Sequence, residues 1–299
     1  MRALVFDHGR AAVRDVRRPS PRRDFALVRV LLSGICNTDL ELKRGYHGFS
    51  GIPGHEFVGV VEGPASAPLL GRRVVGEINL ACGRCSWCAE GLGRHCPRRT
   101  VLGIRGHAGA HAEWLTLPQA NLREVPSGVA DEEAVFVEPL AAACEILDQV
   151  AVSSATHAAV LGPGKLGRLA AAVLRTAGAD VALLGRPSRA RAASFDLVIE
   201  ATGSPAGMPR ALRLVKPRGT IVWKSTHHAT ARFDAAPLVV NEVTVVGSRC
   251  GRFEPALELL RMKRVDALSL LSSVFPLRDA VRALRVSARP GVLKVLLRP

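Results

Sequence analysis

The chain has 299 residues, with 48% hydrophobic and 22% charged side chains, so intrinsic disorder is excluded for most of it and two domains, or one large one, are expected. No apolar run approaches the ~18 residues of a membrane-spanning helix, and the start of the chain becomes polar by Asp7, too soon for a signal peptide, so a cytoplasmic protein is expected. The net charge of +15 could favour nucleic acid, but the basic residues are scattered and only 4% of the residues are aromatic, which disfavours that class.

The first predicted strand covers residues 26–32, an aliphatic run, and a set of metal-binding residue types follows it. The candidates are Cys36, His55, Glu56 and Glu138. One cysteine, one histidine and one carboxylate are plausible ligands of a catalytic zinc, which keeps three protein ligands and an open fourth position. Taken singly, each residue is more often a core or surface residue. A metalloprotease helix is excluded, because the position four residues after His55 is Gly59 rather than a second histidine.

Four of the seven cysteines lie close together, with two-residue gaps between the first three and a seven-residue gap before the fourth: Cys82, Cys85, Cys88 and Cys96. In a cytoplasmic chain such spacing favours metal binding over disulfides. A four-cysteine site surrounds a tetrahedral ion and leaves no open position, so a structural zinc is predicted. An iron–sulfur cluster is the alternative. Its motif has a three-residue last gap and usually a second cluster, and this sequence has neither, so zinc is favoured.

A glycine-rich loop lies between a short apolar run at 157–161 and a helix-forming segment at 168–177, and a second apolar run follows at 181–184. Strand, G-x-G-x-x-G, helix, strand is the context of the dinucleotide-binding fingerprint. Gly162 is expected to permit the sharp turn, and Gly164 to let the pyrophosphate approach the backbone. Gly167 is expected to permit close packing of the helix on the strand. The diphosphate would then lie at the helix N-terminus.

The remaining segments also alternate between strand and helix. A strand is predicted at 195–203, a helix at 206–215, and further strands at 219–223 and near 242–246. This alternation favours a parallel sheet. The chain ends in a predicted helix, 275–284, and a predicted strand, 292–297. Cys144 is interpreted as a core residue, and Lys294 as a surface charge.

These motifs occur in the order found in the zinc-dependent medium-chain dehydrogenases/reductases, the alcohol and polyol dehydrogenase family, and the chain resembles that family over nearly its whole length. The resemblance implies an α/β fold. A GroES-like β-barrel catalytic domain would span residues 1–148, with the structural zinc lobe at 82–96. A Rossmann domain with a shortened, doubly wound parallel sheet would span 149–268, and 269–299 would return to the catalytic domain. A homodimer or homotetramer is also expected.

The resemblance assigns the metal ligands as well. The catalytic zinc would be held by Cys36, His55 and Glu138. Glu56 would contact these ligands without binding the zinc, or would serve as an alternate ligand. The lobe cysteines would hold the structural zinc. This ligand set is similar to that of the sorbitol and glucose dehydrogenase branches. Zinc would stabilise the alkoxide of an alcohol substrate, and hydride would pass to the nicotinamide. Thr38 would relay the hydroxyl proton, unless it only bonds its own loop.

The expected cofactor-binding residues are Gly162, Gly164, Lys165, Leu166, Gly167, Arg186 and Arg189. NAD enzymes place an acidic residue roughly 20 residues beyond the loop, but no carboxylate occurs between residues 181 and 194. Arg186 stands at that distance, with Arg189 near it, and an arginine there can bind a 2′-phosphate through charge-assisted hydrogen bonds. NADP is therefore predicted over NAD; the alternative is a solvated basic loop.

One unit of the expected nucleotide-binding fold is missing. Only residues 185–195 lie between the second strand and Asp196, whereas a helix-and-strand unit needs about 30 residues. A helix and the third strand are thus predicted to be absent, which leaves the second strand as a sheet edge. Two functions follow: a zinc-dependent alcohol or polyol dehydrogenase, or a zinc-stabilised binding protein that has lost turnover through this deletion.

Overall fold

The computed structural model describes residues 1–63, 65–66, 68–226 and 230–299. In chain order the strands are β1 (Arg2–Asp7), β2 (Arg10–Asp15), β3 (Phe25–Ile35), β4 (Glu56–Gly63), β5 (Arg73–Gly76), β6 (Asn79–Leu80), β7 (Thr100–Leu102), β8 (Gly106–His107), β9 (Trp114–Pro118), β10 (Leu122–Glu124), β11 (His157–Leu161), β12 (Asp180–Leu184), β13 (Phe195–Glu200), β14 (Val215–Trp223), β15 (Thr244–Gly247), β16 (Leu271–Pro276) and β17 (Lys294–Arg298). The α-helices are α1 (Asn37–Lys43), α2 (Ser86–Ala89), α3 (Asp131–Ala134), α4 (Val137–Gln149), α5 (Lys165–Thr176), α6 (Gly207–Leu214), α7 (Ala236–Val240), α8 (Phe253–Arg261) and α9 (Ala280–Ser287). Within the described ranges, no helix has the length and apolar character needed to cross a membrane.

The chain divides into two compact units. The first combines Met1–Glu138 with Leu257–Pro299, and the second is Pro139–Ala256. The first unit thus contains both ends of the chain, and the second contains the glycine-rich loop. The boundaries expected from the sequence, after residues 148 and 268, stay predictions.

The first unit is built on a sheet in which the strand order is β10-β5-β4-β3-β17-β16, with β9 also paired to β3. Strand β3 pairs antiparallel with β4, β9 and β17. It can do so because its eleven residues are mostly aliphatic and nearly all buried or half-buried, as expected of a central strand. A core cluster that includes Leu4, Phe6, Ile35 and Leu297 packs against this sheet.

The second unit contains a sheet of five parallel strands in the order β12-β11-β13-β14-β15. Helix α5 connects β11 to β12, and α6 connects β13 to β14. In α5 most of the buried side chains recur on one face, at Leu169, Ala170, Val173 and Leu174, the spacing of a helix that covers a sheet. The predicted parallel sheet with crossover helices is confirmed.

The shortened connection after the second strand is confirmed too. Residues 185–194, all of which the structure describes, contain no helix or strand. Among the strands that the structure describes, β12 consequently lies at the edge of the sheet and pairs with β11 alone. The sheet forms without the missing unit because β11 pairs with β12 on one side and β13 on the other.

The C-terminal segment differs from the sequence prediction in one respect. The helix predicted from Phe275 is wrong at its start, since Phe275 and Pro276 are the last residues of β16 and α9 begins only at Ala280. Phe275 pairs with Leu297 of β17. A short apolar run does not by itself distinguish a buried strand from the first turn of a helix.

Candidate active site

The register of the first unit's sheet brings three chain segments together at one end. Gly34, near the end of β3, lies opposite Glu56, the first residue of β4. Ile35 lies opposite Val295, the second residue of β17. Cys36, His55 and Lys294 therefore meet at the same edge, although they are far apart in the sequence.

Three of the predicted zinc-site residues lie within reach of a single ion. A ligand atom from each of Cys36, His55 and Glu56 lies within 4.8 Å of the other two. His55 and Glu56 are buried, whereas Cys36 is half-buried. Glu138 does not belong to this group, but its negative charge helps to raise the pKa of His55. Thr38 lies beside the group, with its hydroxyl oxygen 3.7 Å from the Cys36 sulfur.

A fully buried aspartate, Asp39, accepts hydrogen bonds from the two loops that carry Cys36 and His55. One of its carboxylate oxygens accepts a hydrogen bond from the backbone N–H of Cys36 at 2.8 Å, and the other accepts one from Gly54 at 3.2 Å. Burial alone would raise the pKa of Asp39, but His111, His55 and the Cys36 N–H outweigh it and lower the pKa to about 2. Asp39 is therefore an anion that holds the loops of both Cys36 and His55.

Two ring nitrogens beside Asp39 lack hydrogen-bond partners among the described residues: His55 Nδ1 and His111 Nε2. They lie 3.7 and 3.4 Å from the Asp39 carboxylate. Burial lowers the pKa of His55, but Cys36, Asp39 and Glu138 raise it well above its usual range. This concentration of negative charge around a buried imidazole suits a divalent cation, which is commonly ligated by a histidine whose other nitrogen faces a carboxylate.

Lys294 is not the surface charge that the sequence suggested. Its side chain is 1% exposed, and its ammonium group forms an ion pair with the Glu56 carboxylate. Burial lowers the pKa of Lys294, but Glu56, Cys36 and Glu138 together raise it. The sequence prediction failed because Lys294 and Glu56 are 238 residues apart and meet only through the pairing of β17 and β4 with β3, which no local pattern records.

Asp39 and His111 were also missed as site residues. Asp39 stands three residues after Cys36, the spacing at which a carboxylate can accept a hydrogen bond from the N-terminal backbone of a helix, and that spacing was an available signal. His111 lies on a distant segment, where its Nδ1 is 2.9 Å from the hydroxyl oxygen of Ser33. Nothing near His111 in the sequence points to that contact.

The four lobe cysteines have the geometry of a closed metal site. Their sulfur atoms all lie within 4.8 Å of one another, and three of the pairs are separated by 3.4, 3.7 and 4.0 Å. Four sulfurs bound at about 2.3 Å to a tetrahedral zinc lie ~3.8 Å apart. A disulfide would need about 2.05 Å, and all four cysteines are free. A backbone hydrogen bond from Arg84 and contacts with the other lobe sulfurs lower the pKa of Cys82 to about 6. At Cys85 a backbone hydrogen bond from Cys88 lowers the pKa, but desolvation and contacts with the other lobe sulfurs raise it to about 11, because neighbouring thiols titrate as a coupled group.

The glycine-rich loop follows β11 in the second unit. Gly162 adopts a left-handed conformation with φ +99°, and a Cβ there would lie 2.6 Å from the Ala201 carbonyl oxygen. A Cβ at Gly167 would lie 1.9 Å from the Gly162 carbonyl oxygen, whereas one at Gly164 would meet only open space. Lys165 and Leu166 form the first turn of α5. The loop thus leaves an open cradle at a helix N-terminus, which fits a diphosphate.

All five strands of the parallel sheet end in register beside this loop. The paired final residues are Leu184, Leu161, Glu200, Trp223 and Gly247. Ligands of such sheets bind at this carboxyl edge. Arg186 and Arg189, which directly follow β12, are exposed, and neither forms an ion pair within the described part of the chain.

Comparison with known families agrees with this geometry. A family model described as the alcohol dehydrogenase GroES-like domain matches residues 22–127, and one described as zinc-binding dehydrogenase matches residues 169–262. Together the two matches cover more than half of the chain. The chain therefore belongs to the zinc-dependent medium-chain dehydrogenase family and is an NAD(P)-dependent enzyme of the alcohol dehydrogenase type.

Individual relatives match over almost their whole length. A sorbitol dehydrogenase of Halalkalibacterium halodurans is 27% identical, over 100% of this chain and 99% of its own. An alcohol dehydrogenase of Thermus sp. ATN1 has 30% identity and a TM-score of 0.90, covering 100% of this chain and 99% of its own. A zinc-binding dehydrogenase of Sinorhizobium meliloti 1021, solved with NADP bound, has 26% identity and a TM-score of 0.90 with the same coverage. The predicted fold, a GroES-like domain with a Rossmann-type domain, is confirmed.

Proposed function

We propose that this protein interconverts a polyol and the corresponding carbonyl compound, uses NADP in preference to NAD, and holds one catalytic and one structural zinc ion per chain. The observation that carries the proposal is the cluster in which ligand atoms of Cys36, His55 and Glu56 lie within 4.8 Å of one another, with the charge of Glu138 also acting on His55. Polyol substrates are supported by relatives named sorbitol dehydrogenase and D-altritol 5-dehydrogenase. A homodimer or homotetramer is proposed from the family resemblance alone.

The catalytic ion would be held by Cys36, His55 and Glu138. Glu56 already forms an ion pair with the buried Lys294. Moving Glu56 onto a metal would leave a buried ammonium without its partner, which typically costs about 3–5 kcal/mol. The negative charge of Glu138 raises the pKa of both His55 and Lys294, so its carboxylate acts on the same group of residues, and we assign it as the third ligand.

When bound, zinc supplies Lewis acidity that lowers the pKa of a substrate hydroxyl or polarises a carbonyl oxygen. Thr38, whose hydroxyl lies beside the Cys36 sulfur, would accept the substrate proton and pass it toward solvent. Asp39 would keep the Cys36 loop and His55 in place through the two backbone hydrogen bonds that it accepts. The cofactor provides the hydride chemistry.

NADP is preferred in this proposal because the residues after β12 are basic. Arg186 and Arg189 would bind the 2′-phosphate, while Gly162, Gly164, Lys165, Leu166 and Gly167 would bind the pyrophosphate. One charge-assisted hydrogen bond contributes about 1.5–3 kcal/mol, which corresponds to roughly ten- to hundredfold in affinity. The NADP-bound relative from Sinorhizobium meliloti supports this choice.

The experiment that tests the proposal is oxidation of a panel of pentitols and hexitols with NADP and with NAD, followed through the absorbance of the reduced nicotinamide. Turnover should be faster with NADP, should disappear after dialysis against a chelator, and should return with Zn²⁺ but not with Mg²⁺, because a thiolate and imidazole site disfavours Mg²⁺. Undiminished turnover in metal-free protein would contradict the proposal. Cofactor binding without turnover on any polyol would favour the binding-protein alternative.

The lobe cysteines give a separate prediction about metal content. Cys85→Ser should lower the zinc content from two ions to one per chain, since three thiolates and a hydroxyl close a tetrahedral site poorly. The thermal midpoint should fall as well, because a structural zinc contributes folding free energy. Ser86→Ala, at an exposed neighbour, is the control and should retain both ions. Elemental analysis that finds two ions in Cys85→Ser would refute the assignment.

Two glycine substitutions separate folding from cofactor binding. Gly167→Ala should lower the free energy of unfolding by about 1–3 kcal/mol, because its Cβ would collide with the Gly162 carbonyl oxygen. Gly164→Ala should change the free energy of unfolding less than Gly167→Ala does, because a Cβ at position 164 meets only open space. It should weaken NADPH binding at least about tenfold, since its methyl group would enter the diphosphate cradle. Urea unfolding and NADPH titration measure the two effects. Equal NADPH affinity in Gly164→Ala and the wild type would place the diphosphate elsewhere.

A further inference from the structure

The shortened connection between β12 and β13 is held by a side chain from another element. Arg210, on helix α6, donates hydrogen bonds to the carbonyl oxygens of Gly185 at 2.6 Å and Ser188 at 2.8 Å. The same turn is closed internally, because the Gly185 N–H donates to the Ser188 hydroxyl oxygen at 3.1 Å. One guanidinium group therefore bridges both ends of the four-residue segment 185–188.

The segment 185–188 also lies against the glycine-rich loop. Gly185 packs against Pro163 in the glycine-rich loop, with 3.6 Å between the position of a Gly185 Cβ and the proline ring. The Gly162 N–H donates to the Leu184 carbonyl oxygen at 3.0 Å. The position of Arg186, which lies between the two anchored carbonyls, is thus fixed relative to the loop that would bind the diphosphate.

The carboxylates of β12 and β13 are placed in a way that suits an anion at the carboxyl end of β12. Asp180 and Asp196 lie at the opposite, amino-terminal edge of the sheet, where they contact His157 and Lys216. At the carboxyl edge, Glu200 is fully buried, and one of its oxygens accepts hydrogen bonds from Thr202. The charged side chains between β12 and β13 are all basic and exposed: Arg186, Arg189 and Arg191.

We propose that Arg210 is a positioning residue for cofactor specificity: it holds the 185–188 turn so that Arg186 and Arg189 meet the 2′-phosphate of NADPH. Without a helix and strand after β12, the main chain closes this turn with one long hydrogen bond, from the Ser188 N–H to the Gly185 carbonyl oxygen at 3.3 Å, and the guanidinium group adds two shorter ones. The planar fork of arginine spans two carbonyl oxygens in one orientation, which a lysine ammonium does not reproduce. This inference rests on the proposed preference for NADP.

The test compares NADPH and NADH affinities, by fluorescence titration of the zinc-loaded full chain, for the wild type, Arg210→Lys and Arg210→Gln. Both variants should bind NADPH about tenfold more weakly while NADH binding changes little, so that the ratio of the two dissociation constants falls about tenfold. Arg213→Gln is the matched control, since Arg213 is an exposed arginine on the same helix. It should retain the wild-type ratio.

The outcomes separate the inference from the proposed function. A wild type that binds both cofactors equally would overturn the NADP preference and the inference with it. A wild type that prefers NADPH, with an unchanged ratio in the Arg210 variants, would overturn the inference alone. An equal loss of both affinities would assign Arg210 a purely structural role and would also overturn it. If the Arg210 variants do not fold, Ser188→Ala takes their place, with an expected fall in the ratio of about threefold; an unchanged ratio there would overturn the inference.

Discussion

Cys36→Ser is expected to lower kcat/KM for polyol oxidation by at least about a thousandfold. A thousandfold loss corresponds to about 4 kcal/mol of transition-state stabilisation, the size expected when a Lewis acid is removed from a reacting oxygen. A serine hydroxyl is a poor substitute for a thiolate as a zinc ligand. Zinc content should fall from two ions to one per chain. Steady-state kinetics and elemental analysis on the same sample measure both effects.

The control for this variant is Cys250→Ser, which removes a cysteine that belongs to neither group of metal-binding residues. It should retain two zinc ions and ordinary turnover. If Cys36→Ser kept both ions and more than a tenth of the wild-type kcat/KM, Cys36 would not be a ligand of a catalytic metal.

Lys294→Met is expected to lower the free energy of unfolding by about 3–5 kcal/mol, because it leaves the buried Glu56 carboxylate without its partner. The side chains of both residues are only 1% exposed, so water cannot compensate for the loss. The double variant Glu56→Gln/Lys294→Met should recover part of the stability, since it removes both charges together. Urea unfolding of the zinc-loaded protein is the measurement.

A matched surface pair provides the comparison for Lys294. Lys216 forms an ion pair with Asp196 at 2.9 Å, but both side chains are 43% exposed, and such pairs contribute about 0–1 kcal/mol. Lys216→Met should therefore change stability little. Equal effects of the two lysine substitutions would show that burial does not govern the Glu56–Lys294 pair.

The sequence predicts well those features whose residues all lie in one short segment of the chain. The cysteine lobe and the glycine-rich loop each depend on close spacing; in the structure the four lobe sulfurs lie within 4.8 Å of one another, and Gly162 and Gly167 have no room for a Cβ. The missing third strand was predictable because a count of residues between Leu184 and Phe195 leaves no room for it. Family membership follows from the order of these same motifs.

The features that the sequence does not predict depend on register between distant segments. Lys294 meets Glu56 only because β17 and β4 both pair with β3. His111 approaches Asp39 across a loop whose sequence has no periodic pattern. Arg210 is one of many scattered arginines, and only the turn of the chain after β12 shows which carbonyl oxygens it binds.

Loss of a strand and helix from a nucleotide-binding domain leaves its cofactor site dependent on side-chain contacts. In this chain the second strand forms the sheet edge, yet all five strands still end in register beside the glycine-rich loop. The adenosine end of the cofactor would lie beside β12, where the missing helix and strand no longer give support. Hydride transfer at the nicotinamide end would be unaffected. We therefore expect the deletion to act on cofactor affinity more than on kcat at saturating cofactor.

The measurement that tests the account most directly is fluorescence titration of the zinc-loaded wild-type protein with NADPH and with NADH. The account predicts saturable binding of one NADPH per chain, roughly ten- to hundredfold tighter than that of NADH. Saturable binding of neither cofactor would contradict it. The shortened domain would then no longer bind a dinucleotide, and the protein would be a zinc-stabilised scaffold rather than a working dehydrogenase.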